Sequence, residues 1–288
     1  MYSKPKWSRE GADWPHRVFS QFIVIEGLKW HVQTLGTGPV LLLLHGTGAA
    51  SHSWHKIMPI LAKHYTLIVP DLPGHGFTDT PKGSALSLPG MASLIGALIQ
   101  KLGINPYAII GHSAGAAIAA ELILSDIVKA KRFIALNGAF KPFDKLAAHI
   151  FPVIAKLIAL NPVTIFALAT GGGDVGRIAK LMEGTGSKLD ARSLDLYSRL
   201  FGSPGHVAGV MGMMARWELN KLVPRLPKLT IPTTFIVATG DLMVVPKVSA
   251  DVAHLVPNSK LIELMGLGHL AHEEAPDIVA QAIESALG

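Results

Sequence analysis

The chain has 288 residues, 49% of them hydrophobic and 16% charged, with a net charge of +6 and no cysteine. That length and apolar content suffice for one large domain carrying an insertion, and the missing cysteines exclude disulfides, thiolate metal sites and a cysteine nucleophile. Residues 1–17 are polar and lack the apolar stretch of a signal peptide, and no run of 18 or more uncharged apolar residues predicts a transmembrane helix, so the expectation is a cytoplasmic protein whose first residues lie loosely over the core.

From Val18 onward short apolar runs alternate with helical patterns. Strands are expected near 18–25, 28–35, 40–44, 65–70, 107–111, 131–137, 233–239 and 259–264, and helices near 54–62, 89–102, 114–126, 246–255 and 274–287. Such alternation predicts a mostly parallel eight-stranded sheet with helices on both faces. The Glu26-Gly27 connection makes the first strand pair an antiparallel hairpin. The third strand, Val40-Leu41-Leu42-Leu43-Leu44, is continuously apolar, as a strand buried on both faces should be. It opens into His45-Gly46-Thr47-Gly48, a turn whose glycines let backbone N–H groups approach a substrate oxygen; the phosphate-loop pattern is absent. His52 and His55 follow as candidates for a pocket mouth.

The fifth strand runs into Gly111-His112-Ser113-Ala114-Gly115, and a helix follows at once. G-x-S-x-G between a strand and a helix is a nucleophile elbow, which holds a serine hydroxyl out of the sheet at the positive end of the helix. A serine nucleophile needs a base and an acid. The seventh strand ends at Thr239-Gly240-Asp241 and the eighth at Met265-Gly266-Leu267-Gly268-His269, each placing a side chain past the carboxyl edge of the sheet, where open α/β sheets build their sites. His269 then takes the proton of Ser113, and Asp241 fixes the imidazole tautomer. His272 is the rival base, expected on the next helix. The N–H groups of Thr47 and Ala114 are the expected oxyanion hole, and His45, Gly46 and His112 are expected along the substrate-binding wall. His269-Leu270-Ala271-His272-Glu273 does not match a zinc motif, and neither a metal nor a cofactor is expected.

Between 140 and 228 the alternation stops and helical patterns take over, so this stretch reads as a cap inserted into a core of 18–139 and 229–288. Residues 141–228 hold 12 Lys and Arg against 6 Asp and Glu; the flanks, at +5 and −5, cancel, and the insertion carries the whole excess. A nucleic-acid partner is not expected, because the basic residues are scattered and no binding motif accompanies them; an anionic substrate, an anionic membrane surface or an acidic partner fits better. The run Ala147–Ala169 is strongly apolar, which suits packing on the core, the wall of a large apolar pocket, or a membrane-surface contact. Gly171-Gly172-Gly173 reads as a hinge.

The chain order Ser113, Asp241, His269, the His45-Gly46 turn, and the loop Asp71-Leu72-Pro73-Gly74-His75-Gly76 after the fourth strand together resemble an α/β-hydrolase over about residues 18–139 and 229–288. Within that superfamily, Leu28-Lys29-Trp30-His31-Val32-Gln33, Gly38 to Ala49 and His52-Ser53-Trp54 are similar to the magnesium-chelatase accessory proteins of bacteriochlorophyll biosynthesis; meta-cleavage-product hydrolases and small esterases are the next nearest in likeness. The α/β-hydrolase resemblance implies a serine hydrolase acting on an ester, a thioester or a ketone-adjacent C–C bond, and the basic, apolar cap suggests a bulky apolar substrate with a negative group; the accessory-protein likeness implies a link to tetrapyrrole metabolism in a photosynthetic bacterium but no established reaction. It equally admits a non-catalytic factor that binds a tetrapyrrole or docks on magnesium chelatase.

Overall fold

The computed structural model describes residues 2–141 and 161–288. Most of the apolar run Ala147–Ala169, its part from 147 to 160, lies outside the described residues.

Eight strands form one sheet: β1 (Ser20–Ile25), β2 (Leu28–Leu35), β3 (Val40–Leu44), β4 (Thr66–Pro70), β5 (Ala108–His112), β6 (Arg132–Leu136), β7 (Thr233–Ala238) and β8 (Ser259–Leu264). Their order is β1-β2-β4-β3-β5-β6-β7-β8. β2 runs antiparallel to β1 and β4, and every other pairing is parallel, as the hairpin and the alternation predicted. From β3 the chain passes to β4 on one side and later to β5 on the other. The crevice beyond the ends of β3 and β5 is therefore the topological switch point, where such sheets bind ligands.

The central strands are buried on both faces because alternate residues serve opposite layers. Leu42, Leu44, Ile109, Phe133, Phe235 and Val237 pack with α2 (Leu88–Leu102), α3 (Ala114–Leu124) and α8 (Pro246–Ala253). Leu41, Leu43, Ile110, Ile134 and Ile236 face α1 (Met58–Leu61) and α10 (Pro276–Leu287). The helix expected at 54–62 is a 3-10 turn, Ser51–Trp54, followed by the single turn α1; the helix expected at 274–287 is split into α9 (Ala271–Glu274) and α10 at Ala275-Pro276, since proline disfavours helical backbone in the residue before it. No helix among the described residues is long and apolar enough to cross a membrane.

Gly115 fixes the distance between layers. A Cβ there would lie 2.2 Å from the carbonyl oxygen of Leu44, so the first turn of α3 sits directly on the end of β3. Between β6 and β7 the described chain folds into α4 (Pro162–Gly172), α5 (Val175–Glu183), α6 (Ala191–Phe201) and α7 (Pro204–Met214). Asn161, Asp174 and Asp190 cap the first three with side-chain acceptors. Gly171 and Gly172 lie in the last turn of α4 rather than in an open hinge; a Cβ on Gly172 would meet the Phe201 carbonyl oxygen at 2.6 Å, so small residues here allow α4 to approach α6 closely.

Residues 2–17, expected to lie loosely over the core, are anchored. Trp14 is buried with Phe77 and Leu196, and Trp7 stacks edge-on against Phe22 and Phe77. Asp13 pairs with Arg192 and Arg199 of α6, and the Ser3 carbonyl accepts from the Gly205 N–H of α7 (2.8 Å). The segment thus binds the inserted helices as well as the core. A second tie is buried. Tyr197 of α6 donates to Glu273 of α9 (2.8 Å), and Lys56 reaches both the Glu273 carbonyl (2.7 Å) and Asp190 (2.7 Å). Burial pushes the Glu273 carboxyl up to about 8, against the downward pull of the Tyr197 hydroxyl and the Lys56 charge.

Two predictions follow from this packing. Gly115→Ala is expected to destabilise the protein by about 1–3 kcal/mol through overpacking against Leu44, read as a lowered urea midpoint with unchanged slope. Glu273 titrates near 4.5 when unfolded and near 8 when folded, so between these values the native state holds the extra proton and loses stability as pH rises. Glu273→Gln is expected to flatten that slope, with a gain on the order of 5 kcal/mol over wild type above pH 8 that vanishes near pH 4.5, measured by urea unfolding across the range.

Candidate active site

Ser113 stands alone between the end of β5 and the start of α3, at φ 53 and ψ −119. A non-glycine residue in this region is strained by roughly 1–3 kcal/mol and persists only where its surroundings enforce it. The enforcement is visible: Ser113 N–H donates to Leu136 of β6 (3.0 Å), and its carbonyl accepts from Ala116 and Ala139 (3.1 Å each). Gly111 and Gly115 make the turn sterically possible, since a Cβ on Gly111 would lie 2.4 Å from the Gly115 carbonyl oxygen. The serine is thereby aimed outward at the positive end of α3.

Asp241 follows β7 and His269 follows β8. The Asp241 carboxylate is fully buried: Oδ1 accepts from the N–H groups of Met243 and Val244 (2.8 Å each), and Oδ2 from His269 Nδ1 (2.7 Å). Because a carboxylate accepts, Nδ1 carries the proton and Nε2 keeps its lone pair for the cavity that both Ser113 and His269 line. The histidine paired with the carboxylate is thus His269, and His272 is placed elsewhere. Its ring packs on Trp54 (4.7 Å) and His112 (4.5 Å), and burial drives its pKa down to about 3.

The β3–β5 register sets Leu44 beside Gly111, so the His45-Gly46-Thr47-Gly48 turn runs alongside the elbow. Gly46, Thr47 and Ala114 line the cavity with Ser113. Among the described residues, nothing accepts from the N–H of Thr47 or of Ala114, and both residues line the cavity. His45 and His112 are braces rather than open walls. His45 does not line the cavity; its Nδ1 donates to the Gly46 carbonyl (2.8 Å), its Nε2 accepts from Leu72 N–H (2.9 Å), and burial lowers it to about 4. His112 does line the cavity, yet its Nε2 is spent on the His269 carbonyl (2.9 Å), and burial among His272 and His269 keeps it neutral. His52 and His55 are set back from the cavity: His52 packs between Trp14 and Tyr197, and His55 folds onto the His52 carbonyl.

The cavity measures about 680 Å³, within the usual range for small-molecule sites. Its inner walls are apolar, with Met182, Phe201, Val210, Met213 and Trp217 among them. Leu181, Met243 and Val245 line it as well and are partly exposed. Lys141 and Lys247 also line it, and share Asp251 between them, leaving a net positive charge there. Among the described residues, no group of three or more metal-ligating side chains is placed to hold an ion.

Some residues escaped the sequence reading. Asn137, which follows β6 at φ 45, donates to the His269 carbonyl (2.9 Å) and accepts from the Ala238 N–H of β7 (2.8 Å), so it ties the base loop to the acid strand. In sequence it marks only the absence of a carboxylate after β6; its partners lie more than a hundred residues away. Thr185 and Ser187, from the turn after α5, likewise touch the Asp241 and His269 loops and carry no local signal.

The sequence profile of the Alpha/beta hydrolase family matches residues 41–282. The chain is 40% identical over 268 residues to the magnesium-chelatase 30 kDa subunit of Rhodobacter capsulatus, covering 92% of this chain and 93% of that one. It is 26% identical over 270 residues to haloalkane dehalogenase 2 of Mycobacterium tuberculosis, covering 90% and 91%. An α/β-hydrolase-fold protein of Burkholderia ambifaria superposes with a TM-score of 0.78 at 23% identity, over 93% of this chain and 97% of that one. The sheet order, the elbow at the switch point and the profile match agree: the chain belongs to the alpha/beta hydrolase family.

Proposed function

We propose that the protein is a serine hydrolase with Ser113 as nucleophile, His269 as general base and acid, Asp241 as its orienting carboxylate, and the N–H groups of Thr47 and Ala114 as oxyanion hole. The observation that carries the reading is the strained Ser113 sharing one cavity with a histidine whose Nδ1 is already held by a buried carboxylate. In this scheme Ser113 Oγ attacks a carbonyl carbon as its proton passes to His269 Nε2. The tetrahedral oxyanion rests on the two N–H groups, and the leaving group departs with the proton from His269. Water, deprotonated by His269, then releases the acyl group from Ser113. Each oxyanion donor is worth on the order of 100-fold or more in rate.

The substrate is an ester, a thioester or a ketone-adjacent C–C bond on a bulky apolar body with an anionic group. The apolar walls would hold the body, and Lys141 and Lys247 the charge. The inserted helices act as its cap. The likeness to a magnesium-chelatase subunit supports a place in Mg-tetrapyrrole, bacteriochlorophyll-linked metabolism. It also supports a second reading, a factor that uses the same cavity to hold a tetrapyrrole or docks on the chelatase without turnover.

A fluorophosphonate probe is expected to label the wild-type protein at Ser113; Ser113→Ala abolishes labelling, and His269→Ala lowers it at least 100-fold. Folded wild-type protein that fails to label would instead favour the binding role. For an anionic long-chain ester, Lys141→Glu combined with Lys247→Glu is expected to raise KM several-fold with little change in kcat, while a neutral ester of equal length is unaffected.

A further inference from the structure

The inserted helices do more than roof the cavity. The turn after α5, Thr185-Gly186-Ser187, is driven between the two loops that carry Asp241 and His269. The Thr185 carbonyl accepts from both Leu242 N–H (3.1 Å) and His269 N–H (3.3 Å). Ser187 Oγ, fully buried, accepts from Leu270 N–H (2.8 Å). The Glu274 carboxylate closes the joint, taking Gly268 N–H on one oxygen (2.9 Å) and Lys188 N–H on the other (3.2 Å). Two glycines make the contact possible. A Cβ on Gly186 would lie 2.2 Å from the Gly240 carbonyl oxygen, and one on Gly268 would lie 2.3 Å from Gly186. Only bare backbone fits between the acid loop and the base loop.

We propose that Thr185-Gly186-Ser187 is a positioning wedge that sets the spacing of Asp241 and His269 and couples it to the occupancy of the cavity. The coupling follows from the same segment: Leu181, Met182 and Thr185 line the cavity just ahead of the wedge. A ligand packing on the end of α5 therefore bears on the turn whose carbonyl holds the backbones of Leu242 and His269. This inference rests on the hydrolase reading for its effect on rate, but the wedge itself is a matter of hydrogen bonding and can be tested apart from it.

The test uses the full-length protein with Ser187→Ala, Ser187→Thr and Gly186→Ala. Amide hydrogen exchange is read at Leu242, His269 and Leu270, and the rate of fluorophosphonate labelling at Ser113. Ser187→Ala is expected to speed exchange at His269 and Leu270 about tenfold or more, leave the amides of β3, β5 and β6 unchanged, and slow labelling about tenfold. Ser187→Thr, which keeps the acceptor hydroxyl, is expected to restore both. Gly186→Ala, if it folds, is expected to slow labelling further. In wild type, a bound long-chain fatty acid is expected to slow exchange at the same amides. Wild-type exchange and labelling in Ser187→Ala, or loss that Ser187→Thr does not rescue, would overturn the wedge. Faster exchange in Ser187→Ala with no labelling of wild-type protein would sink the hydrolase reading and leave the wedge standing.

Discussion

The site depends on how closely the first turn of α3 sits on the end of β3. At Gly115 the helix backbone lies so near Leu44 that no side chain fits between them. That contact sets three things at once. It holds Ser113 at a positive φ that an isolated chain would abandon. It brings the elbow alongside the His45-Gly46-Thr47 turn, which continues β3 beyond its pairing with β5. It also leaves the N–H groups of Thr47 and Ala114 on the cavity wall without acceptors among the described residues. The strained serine and the two N–H groups beside it are consequences of a single helix-on-strand distance, which is why small residues at 111 and 115 matter more than their size suggests.

Around this frame the chain places histidines in numbers that would be hazardous if they were charged. Burial keeps His45, His112, His206 and His272 neutral, each with its pKa lowered. Three of them then serve as hydrogen-bonding rods with a fixed tautomer. His45 links the Gly46 carbonyl to Leu72, His112 donates to the His269 carbonyl, and His206 spans Gly76 N–H and the Gly48 carbonyl. His269 differs by one partner: a buried carboxylate on Nδ1. That carboxylate sets His269 apart from these four rings, whose nitrogens meet only backbone partners or none among the described residues.

Much of this was legible in the sequence because it is local. β3 and β5 read as strands from their apolar runs, the elbow from five contiguous residues, and Asp241 and His269 from their positions just past predicted strands. What was not legible depends on distant pairs. His45 looks like a substrate contact until Leu72 and Gly46 are seen to occupy both its nitrogens. Asn137 looks like an empty position until its amide meets Ala238 and His269. The hinge expected at Gly171-Gly172-Gly173 failed for a related reason: glycine signals close approach as readily as freedom, and only the presence of Phe201 decides between them.

The inserted helices are the least predictable part and the most consequential. They hold three of the loops around the cavity: His206 of α7 meets the Gly48 carbonyl, the Thr185 carbonyl holds Leu242 next to Asp241, and Thr185 with Ser187 holds His269 and Leu270. The segment at residues 2–17 binds the same helices to the core through Ser3 and Asp13. An insertion that only covered a pocket could diverge freely, since loops far from the sheet carry few constraints. One that supplies a backbone acceptor to both the Asp241 loop and the His269 loop is constrained at that acceptor whatever its outer surface becomes. One segment therefore supplies part of the apolar cavity wall, at Leu181 and Met182, and the backbone acceptor that holds Leu242 and His269.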